Sequence, residues 1–164
     1  MVEDKTAPSK GGFALAQTAV GPSALFNLCV LDGAAAKDVE VSVAFKAVAG
    51  DKDQGGGVVW RYQDANNYYV ARMNPLEDNF RVYKVVGGRR SKEFQSKEGL
   101  TVPVNEWHVL KVKMKGDHIE CYLDGTKYLD VKDSTFTKAG KVGLWSKSDA
   151  RTRFDGFQVT DLGK

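Results

Sequence analysis

Residues 55–72 read GGGVVWRYQDANNYYVAR, and this stretch decides the fold. Successive side chains of an extended run alternate in direction, so Val58, Trp60 and Tyr62 share one face while Val59 and Arg61 take the other. Gln63, Asp64, Ala65, Asn66 and Asn67 follow as turn chemistry, since Asn and Asp close turns with their own side chains and tolerate left-handed backbone. Tyr68, Tyr69, Val70, Ala71 and Arg72 then run back. Two β-branched and aromatic runs around a polar turn make a hairpin. Gly55, Gly56 and Gly57 precede a strand and carry no Lys-Ser/Thr pair, so they are not a phosphate loop. Their expected role is close backbone approach.

The same grammar continues in both directions. Upstream, residues 13–18 form a short strand, residues 25–31 are nearly continuous apolar, and Asp32-Gly33 turns the chain. Val39, Val41, Val43 and Phe45 alternate with Glu40, Ser42, Ala44 and Lys46, the pattern of a half-buried strand. Downstream, residues 79–86 place Phe80 and Val82 opposite Arg81 and Tyr83, and Gly87-Gly88 is a two-residue hairpin turn. Residues 89–96 read as a polar edge strand guarded by its charges. Leu110, Val112 and Met114 oppose Lys111, Lys113 and Lys115, and further strands are expected at residues 118–123, 127–131, 141–146 and 152–160. No segment sustains a helical period. About a dozen short strands with turns between them predict an all-β fold of two antiparallel sheets burying their inner faces against each other. The expected organisation is a flexible lead-in at residues 1–12, containing Pro8, Gly11 and Gly12, and one domain over residues 13–164.

Composition narrows the function classes. The 164 residues suffice to bury roughly two-thirds of the unfolded surface without a staple. A net charge of +3, with 24 basic against 21 acidic residues, and no concentrated basic stripe argue against nucleic acid as a partner. No apolar run is long enough to cross a bilayer, which argues against a membrane. Cys29 and Cys121 lack the spacing of a zinc or redox pair. Cys121 shares a face with Ile119 and Leu123 and is expected as a buried thiol; a Cys29–Cys121 disulfide is the alternative, in an oxidising compartment.

The search for catalytic groups finds none that can be named. There is no GxSxG, and His108 and His118 stand apart from any nucleophile or carboxylate at telling spacing. Glycoside hydrolysis needs two carboxylates about 5 Å or about 7–9 Å apart. No Glu is followed two residues later by Asp; Asp38 and Glu40 read as an exposed pair, and Glu77-Asp78 lies in a turn. What remains is a polar-aromatic face. With Val58 and Trp60 inward, Arg61 points outward, and Arg72, Arg81 and Tyr83 on neighbouring strands join it. Asn74 and Asn79 lie near the strand ends, Tyr69 lies on the returning strand, and the last hairpin adds Trp145, Lys147, Asp149 and Arg151 as rim candidates. Aromatic faces stack on the C–H side of a sugar ring, and Arg and Asn donate to hydroxyls, so the expected ligand is an oligosaccharide or small sugar. The competing reading makes Trp60 core and the arginines ordinary surface.

Several motifs carry a family resemblance. They are the hairpin Gly57-x-x-x-Arg61-Tyr62-x-Asp64-x-x-Asn67-Tyr68-Tyr69, Trp107-x-x-Leu110-Lys111, Cys121-Tyr122-Leu123-Asp124-Gly125, and Gly140-x-x-Gly143-Leu144-Trp145-x-Lys147-x-Asp149 ending on Phe154-Asp155. In this order they resemble the concanavalin A-like lectin/glucanase superfamily, and within it bacterial 3-keto-disaccharide hydrolase or family 16 glycoside hydrolase-like domains. The resemblance implies a jelly-roll sandwich with a concave carbohydrate-facing sheet and an exported, secreted or periplasmic protein, a cytoplasmic one being the alternative. The Glu-x-Asp-x-x-Glu strand of the superfamily's glucanases is missing. Some members hold a structural calcium, for which Asp155 is the matching acidic position; no other cofactor is expected. Three functions follow: a carbohydrate-binding domain, a glycoside hydrolase-like enzyme acting on a keto-disaccharide or other small glycan, and a protein-interaction sandwich.

Overall fold

The computed structural model describes residues 1–163. Its elements are β1 (Val2–Glu3), β2 (Phe13–Gln17), β3 (Phe26–Ala36), β4 (Val39–Ala49), β5 (Gly56–Asp64), β6 (Asn67–Asn74), β7 (Asn79–Val86), β8 (Arg89–Arg90), β9 (Gln95–Glu98), β10 (His108–Lys115), β11 (His118–Leu123), β12 (Thr126–Lys132), β13 (Gly140–Lys147) and β14 (Arg151–Asp161). They form two seven-stranded sheets. The first runs β1-β2-β14-β4-β10-β11-β12; the second runs β3-β13-β5-β6-β7-β8, with β9 also paired to β7.

The alternation read in the sequence is the core itself. Val41 pairs with Val112 and Val43 with Leu110, so the apolar faces of β4 and β10 form one inner surface, which Met114, Ile119, Cys121 and Leu129 extend. The second sheet answers with Val58, Trp60, Tyr69, Ala71, Met73, Phe80, Val82, Val142 and Leu144. Trp60 and Tyr69 stack with ring centroids 5.5 Å apart, and the Trp60 indole N–H donates to Met114 Sδ at 3.1 Å. Each large apolar side chain buried in this way contributes about 1.5–3 kcal/mol.

Turn chemistry holds the hairpins. Asp64 Oδ1 accepts from the Asn66 amide at 2.7 Å and from Asn67 Nδ2 at 2.9 Å, closing β5 onto β6. Gly87 and Gly88 both adopt positive φ (56° and 78°), as a hairpin twisted with its strands requires.

Two expectations change. Asp32-Gly33 does not end its strand: β3 continues to Ala36, with Gly33 at φ 81° and a slip in its register against β13. Residues 89–96 are split between the short β8 and the start of β9. In the lead-in, by contrast with its polar sequence, Val2–Glu3 pairs with β2 and Asp4 is buried between Lys46 Nζ (2.5 Å) and Arg153 Nη1 (2.8 Å). Both cysteines are free: Cys121 is buried in the first sheet and Cys29 is exposed on β3 of the second. Burial pushes the Cys121 thiol well above its ordinary value.

Candidate functional site

Strand register writes the outer face of the second sheet row by row. Trp145 pairs with Gly57, Gly57 with Arg72 and Arg72 with Arg81, so these four lie side by side. The next row is Val59, Val70 and Tyr83, and beyond it come Tyr68, Val85 and Arg90. A Cβ on Gly57 would stand 1.8 Å from the Ala71 carbonyl oxygen, which explains the glycine.

This face is not an open surface. Val59, Tyr68, Val70, Tyr83, Val85 and Trp145 form a second buried cluster, with Phe26, Leu28 and Tyr62 packed against it. The cover comes from the two edges of the sheet. The Arg90 guanidinium of β8 lies 4.4 Å from the Tyr83 ring centroid and 5.9 Å from that of Phe26 on β3. Five inter-strand steps of about 4.8 Å would hold those backbones about 24 Å apart in a flat sheet. Their side chains meet only because the sheet curls toward this side, making it concave. Phe26 in turn leans on Trp145, with centroids 5.5 Å apart.

The hollow is lined by polar atoms. Tyr68 Oη, Tyr83 Oη, Arg72 Nε, Arg90 Nη1 and Trp145 Nε1 are buried without a well-formed hydrogen bond, although the Trp145 indole stands close enough to the Tyr68 phenol, and the Arg81 guanidinium to the Tyr83 phenol, to interact with them. Only one other such atom occurs among the described residues, His108 Nε2 in the first sheet. A buried polar atom left unpaired costs about 1–3 kcal/mol, and five on one face is a concentration that core packing does not require. Burial pushes the Tyr68 phenol up to about 12, with the Trp145 indole opposing the rise, so it is protonated and able to donate.

Ion pairs rim the hollow. Arg72 donates through Nη2 to Glu77 Oε2 at 2.8 Å and through Nη1 to Asn79 Oδ1 at 3.0 Å. Asp53, 2 % exposed, accepts from Asn74 Nδ2 at 3.0 Å and faces Lys147 Nζ at 2.8 Å. Arg81 reaches Ser96 Oγ at 2.9 Å and Glu98 Oε1 at 2.9 Å. Burial would raise Glu77, but Arg72, Asn79 and Arg81 together more than offset it and hold the carboxyl below its ordinary value. Asp149 anchors the loop bearing Asp53, its carboxylate accepting from the amides of Asp51, Lys52 and Asp53 at 3.0 to 3.1 Å.

The fold therefore brings Arg72, Asn74, Arg81, Tyr83, Trp145 and Lys147 to one face and its rim. Arg61 and Tyr69 are placed elsewhere. The β5–β6 register shifts between Trp60 and Asp64, and Arg61 takes a φ of 44°, which removes it from the outer row. Its guanidinium is instead buried at one end of the sandwich, donating to the carbonyls of Lys37 (2.7 Å), Phe136 (2.7 Å) and Gly116 (2.6 Å). Tyr69 faces the inner core, where its hydroxyl donates to Asp133 Oδ1 at 2.6 Å and accepts from the Phe136 amide at 3.1 Å. Tyr68, Arg90, Phe26 and Asp53 were not indicated by the sequence. Tyr68 had a signal in the Tyr68-Tyr69 pair, of which alternation sends one residue to each face.

A calcium site at Asp155 does not fit. That carboxylate accepts the Ser9 amide at 2.6 Å, and no group of three acidic, His or Cys side chains close enough to share an ion includes it among the described residues. The one such group is His118, Glu120 and Asp130, and there Lys127 Nζ already bridges the two acids at 3.0 and 2.7 Å.

Comparison with known proteins agrees with the fold. Among solved structures, the carbohydrate binding module CBM66 from Bacillus subtilis superposes with a TM-score of 0.78 at 23 % identity, covering 89 % of this chain and 86 % of that one. CG-16, a homodimeric agglutinin from chicken liver, matches with a TM-score of 0.61 at 8 % identity, over 82 % of this chain and all of its own (100 %). The GH43 protein BlXynB from Bacillus licheniformis matches with a TM-score of 0.58 at 16 % identity, over 76 % of this chain and 28 % of its own. These likenesses establish the jelly-roll sandwich. A comparison with curated sequences finds no match. The 3-keto-alpha-glucoside-1,2-lyase-like domain family matches residues 23–160, and the chain belongs to that family.

Proposed function

We propose that the concave outer face of the second sheet binds carbohydrate. The observation that carries this is the set of five buried polar atoms of Tyr68, Arg72, Tyr83, Arg90 and Trp145 that lack well-formed hydrogen bonds, beside the rings of Phe26, Tyr83 and Trp145. A sugar ring supplies what such a hollow lacks. Its C–H face packs on aromatic rings, and its hydroxyls donate and accept along the ring edge. The match to a carbohydrate binding module supports the reading. Entry of a ring requires the Phe26 and Arg90 side chains to part. An exported location goes with this function and is checked by fractionating the native host.

The test is titration of the folded chain with an oligosaccharide panel, followed by NMR shifts and calorimetry. Tyr68→Phe and Tyr83→Phe each remove one hydroxyl and no packing, and each is expected to weaken binding by about 3–10-fold, the worth of one hydrogen bond. Absence of binding to any glycan, or shifts that map away from this face, overturns the reading.

Family membership favours a second reading, an enzyme acting on a keto-disaccharide. Asp53, Glu77 and Glu98 are the carboxylates at the rim, and all three are ion-paired. A general acid needs a raised pKa, and Glu77 is shifted the other way. Turnover of a keto-disaccharide that survives in Asp53→Asn but is lost in Glu77→Gln would favour catalysis; no turnover by the intact chain removes this reading.

A further inference from the structure

The charges of this face do not balance. Lys147 faces Asp53, Arg72 faces Glu77 and Arg81 faces Glu98, at 2.8, 2.8 and 2.9 Å. Arg90 is left over. Among the described residues no carboxylate lies within ion-pair distance of it; it stacks instead on Tyr83 with Nη1 buried and unpartnered. The hydrogen-bonding capacity is equally one-sided. Arg72 Nε, Arg90 Nη1 and Trp145 Nε1 can only donate, and the two phenols, whose oxygens face the Trp145 indole and the Arg81 guanidinium, are left to donate as well. No orphaned atom in the hollow is an acceptor alone.

A neutral sugar would have to turn its hydroxyl oxygens toward donor after donor and leave its own hydroxyl protons few acceptors. A carboxylate answers both imbalances. It offers about four lone-pair sites and no proton, and its planar fork matches a guanidinium. Arg90 is suited to this, because its Nη1 is buried and its guanidinium is set against an aromatic ring, where an anion is less screened than in open solvent.

Resting on the carbohydrate-binding reading above, we propose that the sugar recognised here is acidic, with the carboxylate of a uronic acid residue paired to Arg90 and its ring over the Tyr83 and Trp145 side chains. The rim pairs then need not break, since the ligand brings the one missing charge. The same argument assigns Arg90 the choice between acidic and neutral sugars, while the aromatic floor serves either.

The test pairs ligands that differ only in the acid: oligogalacturonate against galacto-oligosaccharide, and oligoglucuronate against gluco-oligosaccharide. The full chain, Arg90→Gln and Arg90→Lys are titrated by calorimetry with NMR mapping, at low and high salt. A charge-assisted pair predicts about tenfold or greater preference for the acidic member in the intact chain. Arg90→Gln should bring the acid-to-neutral ratio close to one, Arg90→Lys should keep part of it, and salt should erode the acidic affinity more than the neutral. Neutral sugars that bind this face as tightly as acidic ones overturn the acidic preference while leaving carbohydrate binding intact. A preference that persists in Arg90→Gln overturns the role of Arg90. No binding of either class overturns both proposals together.

Discussion

Replacing Arg61 with Ala should damage the fold and leave the ligand face alone. The Arg61 side chain is 1 % exposed and donates to three main-chain carbonyls, of Lys37, Phe136 and Gly116, at 2.6 to 2.7 Å, with Asp38 at 3.4 Å. Hydrogen bonds to a charged group contribute about 1.5–3 kcal/mol each, so three sum to about 4.5–9 kcal/mol. Against this stands the cost of burying the cation, which Ala recovers, and water can enter the space to satisfy some carbonyls. Breaking a buried charged cluster by removing one partner costs about 3–5 kcal/mol net, and we expect that loss. In a domain of this size it lowers Tm by about 6–20 °C. Urea unfolding followed by the fluorescence of buried Trp60 and Trp145 measures it directly. Arg61→Lys keeps the charge but cannot fork to three carbonyls, and should fall between Ala and the intact chain. A loss below about 1 kcal/mol refutes the accounting. So does a stable Arg61→Ala chain that has lost glycan binding, which would return Arg61 to the outer face.

Other perturbations separate packing, charge and chemistry. Burial would raise Asp133, but Lys84, Tyr69 and Thr135 together hold it at about 2, below its ordinary 3.8. A carboxyl depressed by folding stabilises above its unfolded value, so this stability is present above about pH 4 and is lost as pH falls from about 4 toward 2. Urea midpoints measured from pH 5 to pH 2 should show the fall, and Asp133→Asn should flatten it. Gly57→Ala would drive a Cβ to 1.8 Å from the Ala71 carbonyl and should destabilise by about 1–3 kcal/mol or more, whereas Gly11→Ala meets nothing within 4 Å and should be nearly silent in the same assay. A thiol reagent should modify Cys29 alone in the native chain and both cysteines in denaturant, because Cys121 is fully buried with its thiol pKa raised. Two fast-reacting thiols in native buffer would contradict the placement of Cys121.

Fold class was legible because it depends on local alternation. Val39, Val41, Val43 and Phe45 announce an inner face without reference to any other strand, and Gly87-Gly88 announces a hairpin from two residues. What the sequence hides is long-range or off by one. Asp4 is pinned by Lys46 and Arg153, partners 42 and 149 positions along the chain, and nothing local in a polar stretch with Pro and Gly foretells that. Arg61 shows the second kind. Strict alternation from Trp60 sends it outward, and one register shift with a left-handed φ is enough to redirect it. Tyr68 and Tyr69 illustrate the stakes, because one joins the hollow and its neighbour joins the core.

The candidate site was half legible for a related reason. A half-buried strand should show one apolar and one polar face, and β6 breaks that rule. Tyr69, Ala71 and Met73 fill the inner face, yet Tyr68 and Val70 on the other side are equally buried, followed by Arg72 and Asn74. A strand that is apolar on both faces in a sheet with only one partner sheet needs a second cover. Here the cover is the curled edges, Phe26 from β3 and Arg90 from β8, which no adjacent-strand pattern predicts because they are opposite ends of the sheet. This cover is incomplete in one specific respect. It removes the face from water while leaving five polar atoms there without well-formed hydrogen bonds. A cover meant only for stability would place partners against those atoms or replace them with apolar groups, since an unpaired buried donor is costlier than none at all. Retaining Arg72, Arg90, Tyr68, Tyr83 and Trp145 together on one face is the observation on which the proposal of a binding site here rests.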